Sequence, residues 1–295
     1  MKKIPWMVSL HGGHSGEFCD HATGTLREVV EAAIAAGFHT YGISEHAPRT
    51  QRRFLYAEEV EQGWSVSTLE TFFDAYAAEL AALSLEFSDQ ITLLRGFEAE
   101  VVPKDAYVKE TARWRQRMDA EFVVGSVHFV DEIQIDGPID EFESAIASSG
   151  GLVSLATRYY ETVKEMIVQL RPNVVGHFDL IKKNGTRFGA VDTPEVREAA
   201  GAALAAAKEH GCILDLNTAG YRKGLGCPYP AQWVVEIAER LGLSFCFGDD
   251  SHGPHQVGLD IEEGRRYLLS EGVGHIAYLT RGERGALVTE RASLR

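Results

Sequence analysis

Cysteine is scarce in this chain: four residues, at positions 19, 212, 227 and 246, with no C-x-x-C pair among them. This leaves no disulfide framework or cysteine-zinc signature, and fits a reducing compartment. Long apolar runs are missing as well. No stretch approaches the ~20 apolar residues of a membrane span. The opening Met1–Leu10 carries Lys2 and Lys3 but no run long enough for a secretory hydrophobic region. The expectation is a cytoplasmic protein with no membrane partner. Positive charge is in deficit, with 29 Lys and Arg against 43 Asp and Glu and a net charge of −14. Phosphate-backbone binding depends on Lys and Arg displacing counterions, so a nucleic-acid partner is not expected. A locally cationic pocket for a small acidic substrate stays open. Internal repeats and low-complexity tracts are absent too.

What is present suits one α/β domain over residues 1–295. The chain is long enough for a large core, and 45% hydrophobic with 24% charged residues is ordinary for a globular protein. Short apolar strands alternate with amphipathic helices. Strands are expected at Met7–His11, Thr40–Ser44, Ile91–Phe97, Phe122–His128, Asn173–His177, Cys212–Leu216 and Leu243–Phe247, with a last one at His275–Leu279. Between them, Leu26, Val29, Val30, Ala33 and Ile34 repeat at helical spacing, with Thr25 and Glu28 placed for a capping box and Gly37 for the stop. Further helices are expected over Leu69–Phe87, Ala106–Met118, Asp140–Arg171 in segments, from Thr193-Pro194 to Gly211, Pro230–Leu241 and Ile261–Ser270. Seven strand-then-helix units in series predict a parallel sheet, closed into a barrel or doubly wound.

Of the 11 histidines, His11, His14, His21, His46, His128, His177 and His252 fall at or just past a strand's C-terminal end. In parallel α/β folds sites are built at that edge, because the strand–helix loops open there. Carboxylates join them: Glu45, Glu98, Glu100, Asp179, Asp249 and Asp250. Imidazole and carboxylate without thiolate suit Zn²⁺, Mn²⁺ or Fe²⁺. One strand-end histidine is more often an ordinary hydrogen-bonded residue than a ligand; seven at one edge, each near an acid, point to a multinuclear metal site. His39, His210 and His275 sit at strand starts or a helix end and fit a structural role.

The run His11-Gly-Gly-His14-Ser-Gly-Glu-Phe-Cys-Asp-His21, then Gly42-Ile-Ser-Glu-His46-Ala-Pro48, resembles the opening of the PHP (polymerase and histidinol phosphatase) family. Gly96-Phe-Glu98-Ala-Glu, Gly125-Ser-Val-His128, Gly176-His-Phe-Asp179 and Gly248-Asp-Asp-Ser-His252 resemble its later motifs. Ser44-Glu-His-Ala-Pro48 and Phe18-Cys-Asp-His21 are most similar to the monofunctional histidinol-phosphatase branch, and the segment from Asn217 to Lys223, with Pro228-Tyr-Pro230, is also like it. The resemblance implies a distorted seven-stranded (β/α)7 barrel and three divalent metal ions. It implies that His11, His14, Glu98 and Asp250 hold one ion. On the same resemblance Glu98 would bridge to a second, completed by His128 and His177, and His21, His46 and His252 would hold the third. One departure is visible: His11 and His14 are separated by two glycines rather than one residue, which on a plain strand would turn them to opposite faces. Gly12 and Gly13 are placed to allow a compensating bulge.

Such a cluster suits hydrolysis of a phosphomonoester, with L-histidinol phosphate the substrate that the resemblance implies. Glu98 and Asp250 are read as catalytic through the metals, with Asp179 or Asp20 as a proton donor. Arg222, Lys183 and Arg49 are candidate phosphate-binding residues, Arg222 first because guanidinium binds phosphate bidentately; Lys182 and Lys223 follow. Another sugar or nucleotide phosphate, a nuclease module, and a non-catalytic metal-binding protein are the alternatives. The sequence leaves the oligomeric state open.

Overall fold

Residues 4–282 and 285–295 are described by the computed structural model. Seven parallel strands close a barrel in chain order: β1 (Val8–Gly12), β2 (Thr40–Ile43), β3 (Thr92–Ala99), β4 (Phe122–Gly125), β7 (Val174–Val175), β8 (Ile213–Asn217) and β9 (Phe245–Gly248), with β9 returning to β1. The closed barrel is therefore correct, and the doubly wound alternative is not.

Helices α1 (Leu26–Ala35), α3 (Val66–Glu86), α4 (Tyr107–Arg117), α6 (Leu152–Leu170), α8 (Pro194–Glu209), α10 (Gln232–Leu241) and α11 (Ile261–Ser270) pack outside it. Their apolar stripes and the strands' outward residues form one core cluster running from Val8 to Leu294. The α1 start is set by the predicted capping box: Thr25 Oγ1 accepts from the Glu28 amide at 3.2 Å, and Glu28 Oε2 accepts from the Thr25 amide at 2.8 Å. Helical sequence between 139 and 170 is cut into α5 (Ile139–Ser149) and α6 at Gly150 (φ +80°) and Gly151 (φ +131°), conformations that L side chains rarely adopt. Among the described residues no helix is long and apolar enough to cross a membrane.

Several details depart from the sequence reading. The strand at His275–Arg281 (β10) lies outside the barrel and pairs antiparallel with β11 (Leu287–Ser293), which was not expected. A small hairpin, β5 (Phe129–Val130) with β6 (Ile133–Gln134), and the short helices α2 (Ala57–Glu61), α7 (Lys182–Gly185) and α9 (Ala219–Arg222) were also missed. Strands β4 and β7 end early, at Gly125 and Val175, so His128 and His177 stand in the loops beyond them. These loops bring the chemistry together.

A candidate metal centre at the barrel mouth

Glu98, near the end of β3 and 1% exposed, is the hub. Its Oε1 lies 3.4 Å from His11 Nε2, 3.1 Å from His177 Nε2 and 3.6 Å from His128 Nε2, while Oε2 lies 3.0 Å from His46 Nδ1. Asp250 is the second meeting point, its Oδ1 lying 3.6 Å from His14 Nε2, 4.0 Å from His11 Nε2 and 3.8 Å from His252 Nδ1. His21 completes the cluster from the rim, its ring centroid 4.7 Å from that of His252 and 5.9 Å from that of His46. All nine residues expected as ligands are thus brought to one place. They line, or lie directly beneath, a cavity of about 430 Å³.

The widened His11/His14 spacing is accommodated as the glycines suggested. The register between β1 and β2 slips between Ser9 and Gly12, and Gly13 takes φ +79°. A Cβ at Gly13 would meet Ile43 Cδ1 at 2.6 Å, so a side chain there is opposed by both backbone and packing. The slip turns both rings inward, and both histidines are fully buried.

A layer of carboxylates holds the rings from behind. His11 Nδ1 is 2.8 Å from Asp215 Oδ2, His14 Nδ1 is 3.1 Å from Glu45 Oε2, and His128 Nδ1 is 3.0 Å from Glu100 Oε1. A carboxylate on Nδ1 fixes the tautomer with the proton on that nitrogen. The Nε2 lone pair is then presented to the cluster, as metal-binding histidines require. The Nε2 atoms of His11 and His14 are buried with no hydrogen-bond partner. Such nitrogens fit a metal far better than an apolar core. Groups of donor atoms within reach of a single ion include His11 with His14 and Glu98, His11 with His177 and Asp250, and His46 with Glu100 and His128. His14, His46 and His252 also group with the buried thiol of Cys19. Cys19 was not expected at the site.

Asp215 went unassigned in the sequence, where it sits inside the apolar strand Cys212–Leu216. It also accepts from the His177 amide at 3.3 Å and from Asn217 Nδ2 at 3.0 Å, and Asn217 Nδ2 reaches Asp250 Oδ2 at 3.2 Å. Removing its charge by Asp215→Asn should weaken metal affinity roughly 10–100-fold with the fold retained. Equilibrium dialysis against buffered free metal measures this, and unchanged affinity would show that Asp215 does not orient His11.

The charges respond to one another. Burial opposes ionisation of Glu98 and Asp250, but the facing histidines, His11 foremost, outweigh it and hold both carboxyls well below the usual range. Burial likewise lowers the histidines, and at His11 it is overcome by Glu98, Asp215 and Asp250, which raise it well above its ordinary value. His128 is raised to about 9 and His21 to about 10, in each case by neighbouring acids that outweigh burial. At His46 and His252 burial prevails, reinforced by the His14 charge, and both are lowered. Protons and metal ions therefore compete for the raised imidazoles. Metal loading at pH 7 should release protons, and affinity should fall as pH drops. Titration calorimetry in buffers of different ionisation enthalpy reads that release; buffer-independent heats would contradict it.

The other candidates divide. Lys183 and Lys223 line the cavity. Arg222 does not: its Nη2 donates to the Asp249 carbonyl and, at 3.3 Å, to that of Asp250, whose backbone is held at φ +44°. It braces a cluster residue rather than facing a substrate. Arg49 is buried between Glu59 and Glu100 against the Tyr56 ring, with its guanidinium already committed. Asp179 is 1% exposed and accepts from the Ala231 amide at 2.8 Å, with Lys182 Nζ at 3.0 Å. It is a support beneath the wall, not a group at the cavity. Asp20 stands behind His21, with Oδ1 3.0 Å from its Nδ1.

A model of the PHP domain matches residues 11–219, the span that carries all of the cluster but Asp250 and His252. The chain belongs to the PHP family. It is 33% identical over 287 residues to a protein of Schizosaccharomyces pombe named probable histidinol-phosphatase, covering 94% of this chain and 91% of that one. In the fold, this PHP chain is similar to a Listeria monocytogenes protein described as a putative histidinol phosphatase. That match has a TM-score of 0.74, 26% identity, and coverage of 85% of this chain and 97% of the other. It is also similar to the histidinol phosphate phosphatase of Lactococcus lactis, solved with zinc, L-histidinol and phosphate. There the TM-score is 0.68 at 21% identity, covering 93% of this chain and 97% of that one.

Proposed function

We propose that this PHP chain, acting as one domain over residues 1–295, is a metal-dependent phosphomonoester hydrolase that converts L-histidinol phosphate to L-histidinol and phosphate. The observation that carries the reading is the convergence of His11, His14, His21, His46, Glu98, His128, His177, Asp250 and His252 on one cavity. The names of relatives that match nearly the whole chain supply the substrate.

The donor set fits three divalent ions of zinc, manganese or iron, imidazole and carboxylate being suited to each. Glu98, with imidazoles on both carboxylate oxygens, would be the residue shared between two of them. Bound there, the ions would supply Lewis acidity to phosphoryl oxygens and a nucleophile at neutral pH. The chain's own groups do the rest. Lys183 and Lys223 on the cavity wall add positive charge for the phosphate. Tyr56, Leu180 and Tyr229 line the same cavity and give it apolar surface beside the charged groups. The carboxylates behind His11, His14 and His128 hold those rings aimed inward, so that little reorganisation is needed as charge develops.

The test is phosphate release from a panel of phosphomonoesters, L-histidinol phosphate included, after loading with Mn²⁺, Fe²⁺ or Zn²⁺. L-Histidinol phosphate should have the highest kcat/KM. Efficient turnover of another ester with L-histidinol phosphate inert would overturn the substrate, and no release with any metal would overturn the enzymatic reading.

A further inference from the structure

The cavity carries two acids that the metal cluster does not use, Glu58 and Asp136. A phosphate ester gives neither of them a purpose, since both repel its anionic end. Glu58 is an exposed residue of α2. Asp136 is different, because the loop bearing it is built. The Ile135 amide donates to the His128 carbonyl at 2.8 Å, tying the loop to the cluster. Asn184 Nδ2 donates to the carbonyls of Ile135 at 3.0 Å and Gly137 at 3.4 Å, and Lys183 Nζ donates to that of Asp136 at 2.5 Å. The loop is thus pinned on both sides of the one acidic side chain.

That side chain has few hydrogen-bond partners inside the protein. Its Oδ1 receives one long contact from Gln134 Nε2 at 3.4 Å, and its Oδ2 lies 3.7 Å from Lys183 Nζ. The nearby Lys183 charge favours the ionised carboxylate, and most of its acceptor capacity is unused. The side chain is 20% exposed and lines the same cavity as His128 and His177.

We propose that Asp136 is a specificity residue that binds the substrate's ammonium group, so that the cavity selects primary amines carried close to the phosphate ester. This rests on the reading above that the substrate is L-histidinol phosphate. In that molecule the ammonium is borne by the carbon next to the ester carbon, so phosphate at the metals leaves the amine a short reach for its counter-charge. Lys183 fixes Asp136 through the backbone carbonyl, with its Nζ 3.7 Å from Asp136 Oδ2.

The experiment compares two esters on two proteins, both metal-loaded. L-Histidinol phosphate and its analogue without the amine, 3-(imidazol-4-yl)propyl phosphate, are turned over by the wild type and by Asp136→Asn. Metal content is checked for each. The substitution should lower kcat/KM for the amino ester about 10–100-fold, mostly through KM, and for the amine-free ester less than about 3-fold. Asp136→Glu, which restores the charge, should recover part of the loss. Equal losses on both esters, or no loss on the amino ester, would overturn the assignment. A wild type that turns over the amine-free ester as well as the amino ester would overturn it too. A wild type inert toward L-histidinol phosphate would instead overturn the substrate reading, and the role of Asp136 with it.

Discussion

Glu98→Gln should lower kcat/KM for the phosphate ester by at least about 10³-fold, or about 4 kcal/mol of transition-state stabilisation, and should strip most metal from two positions. Glutamine keeps the shape of the side chain and removes its charge. Glu98 is 1% exposed and meets His11, His46, His128 and His177, so no solvent can replace the lost carboxylate. Its charge is also the leading attraction that keeps His11 and His128 above their ordinary values. Neutralising it therefore loosens the rings as well as any ion between them. Metal per chain by elemental analysis and kcat/KM on the same sample check both halves. A variant with full metal content would contradict the bridging role, whatever its activity.

Chelation of the metals should abolish turnover and lower the melting temperature by roughly 5–10 °C, both restored by re-adding the metal. Ions that bind only the folded chain stabilise it by about 2.7 kcal/mol at free concentrations 100 times Kd. In domains approaching this size, 1 kcal/mol shifts the midpoint by about 2–4 °C. The physical source is the crowding of Glu45, Glu98, Glu100, Asp215 and Asp250, whose charges lie within one set of side-chain contacts. Divalent ions offset that repulsion. Calorimetry before and after chelation reads the shift, and an unchanged midpoint with undiminished turnover would contradict a metal centre here.

The barrel was legible in the sequence because each of its strands is a short apolar run followed by a helical period, a signal local to a few residues. The hairpin β5–β6 was not, since its turn is Asp131-Glu132, both at positive φ, without the Asn or Gly that usually marks such turns. Strand β11 was missed because Val288, Thr289, Glu290 and Arg291 are all exposed, and an exposed strand paired on one side has no apolar alternation to read.

At the site, the ligand candidates were legible because metal chemistry restricts them to a few residue types at one edge of the sheet. Their supports were harder. Glu45 and Glu100 were visible as strand-end acids, but which ring each holds depends on pairing between distant strands. Asp215 did leave a signal, an acid inside the apolar run Cys212–Leu216, where a charge has no local reason to be buried. The cationic residues were read least well. Arg49 and Arg222 have long side chains whose direction is set by partners elsewhere in the chain, Glu59 on α2 in one case and the strained Asp250 backbone in the other.

Anomalous diffraction from crystals of the metal-loaded protein, recorded at the absorption edge of the bound ion, tests the centre most directly. Three peaks are predicted among the nine converging residues, two of them in contact with the Glu98 carboxylate. A single peak, or peaks none of which touches Glu98, would contradict it.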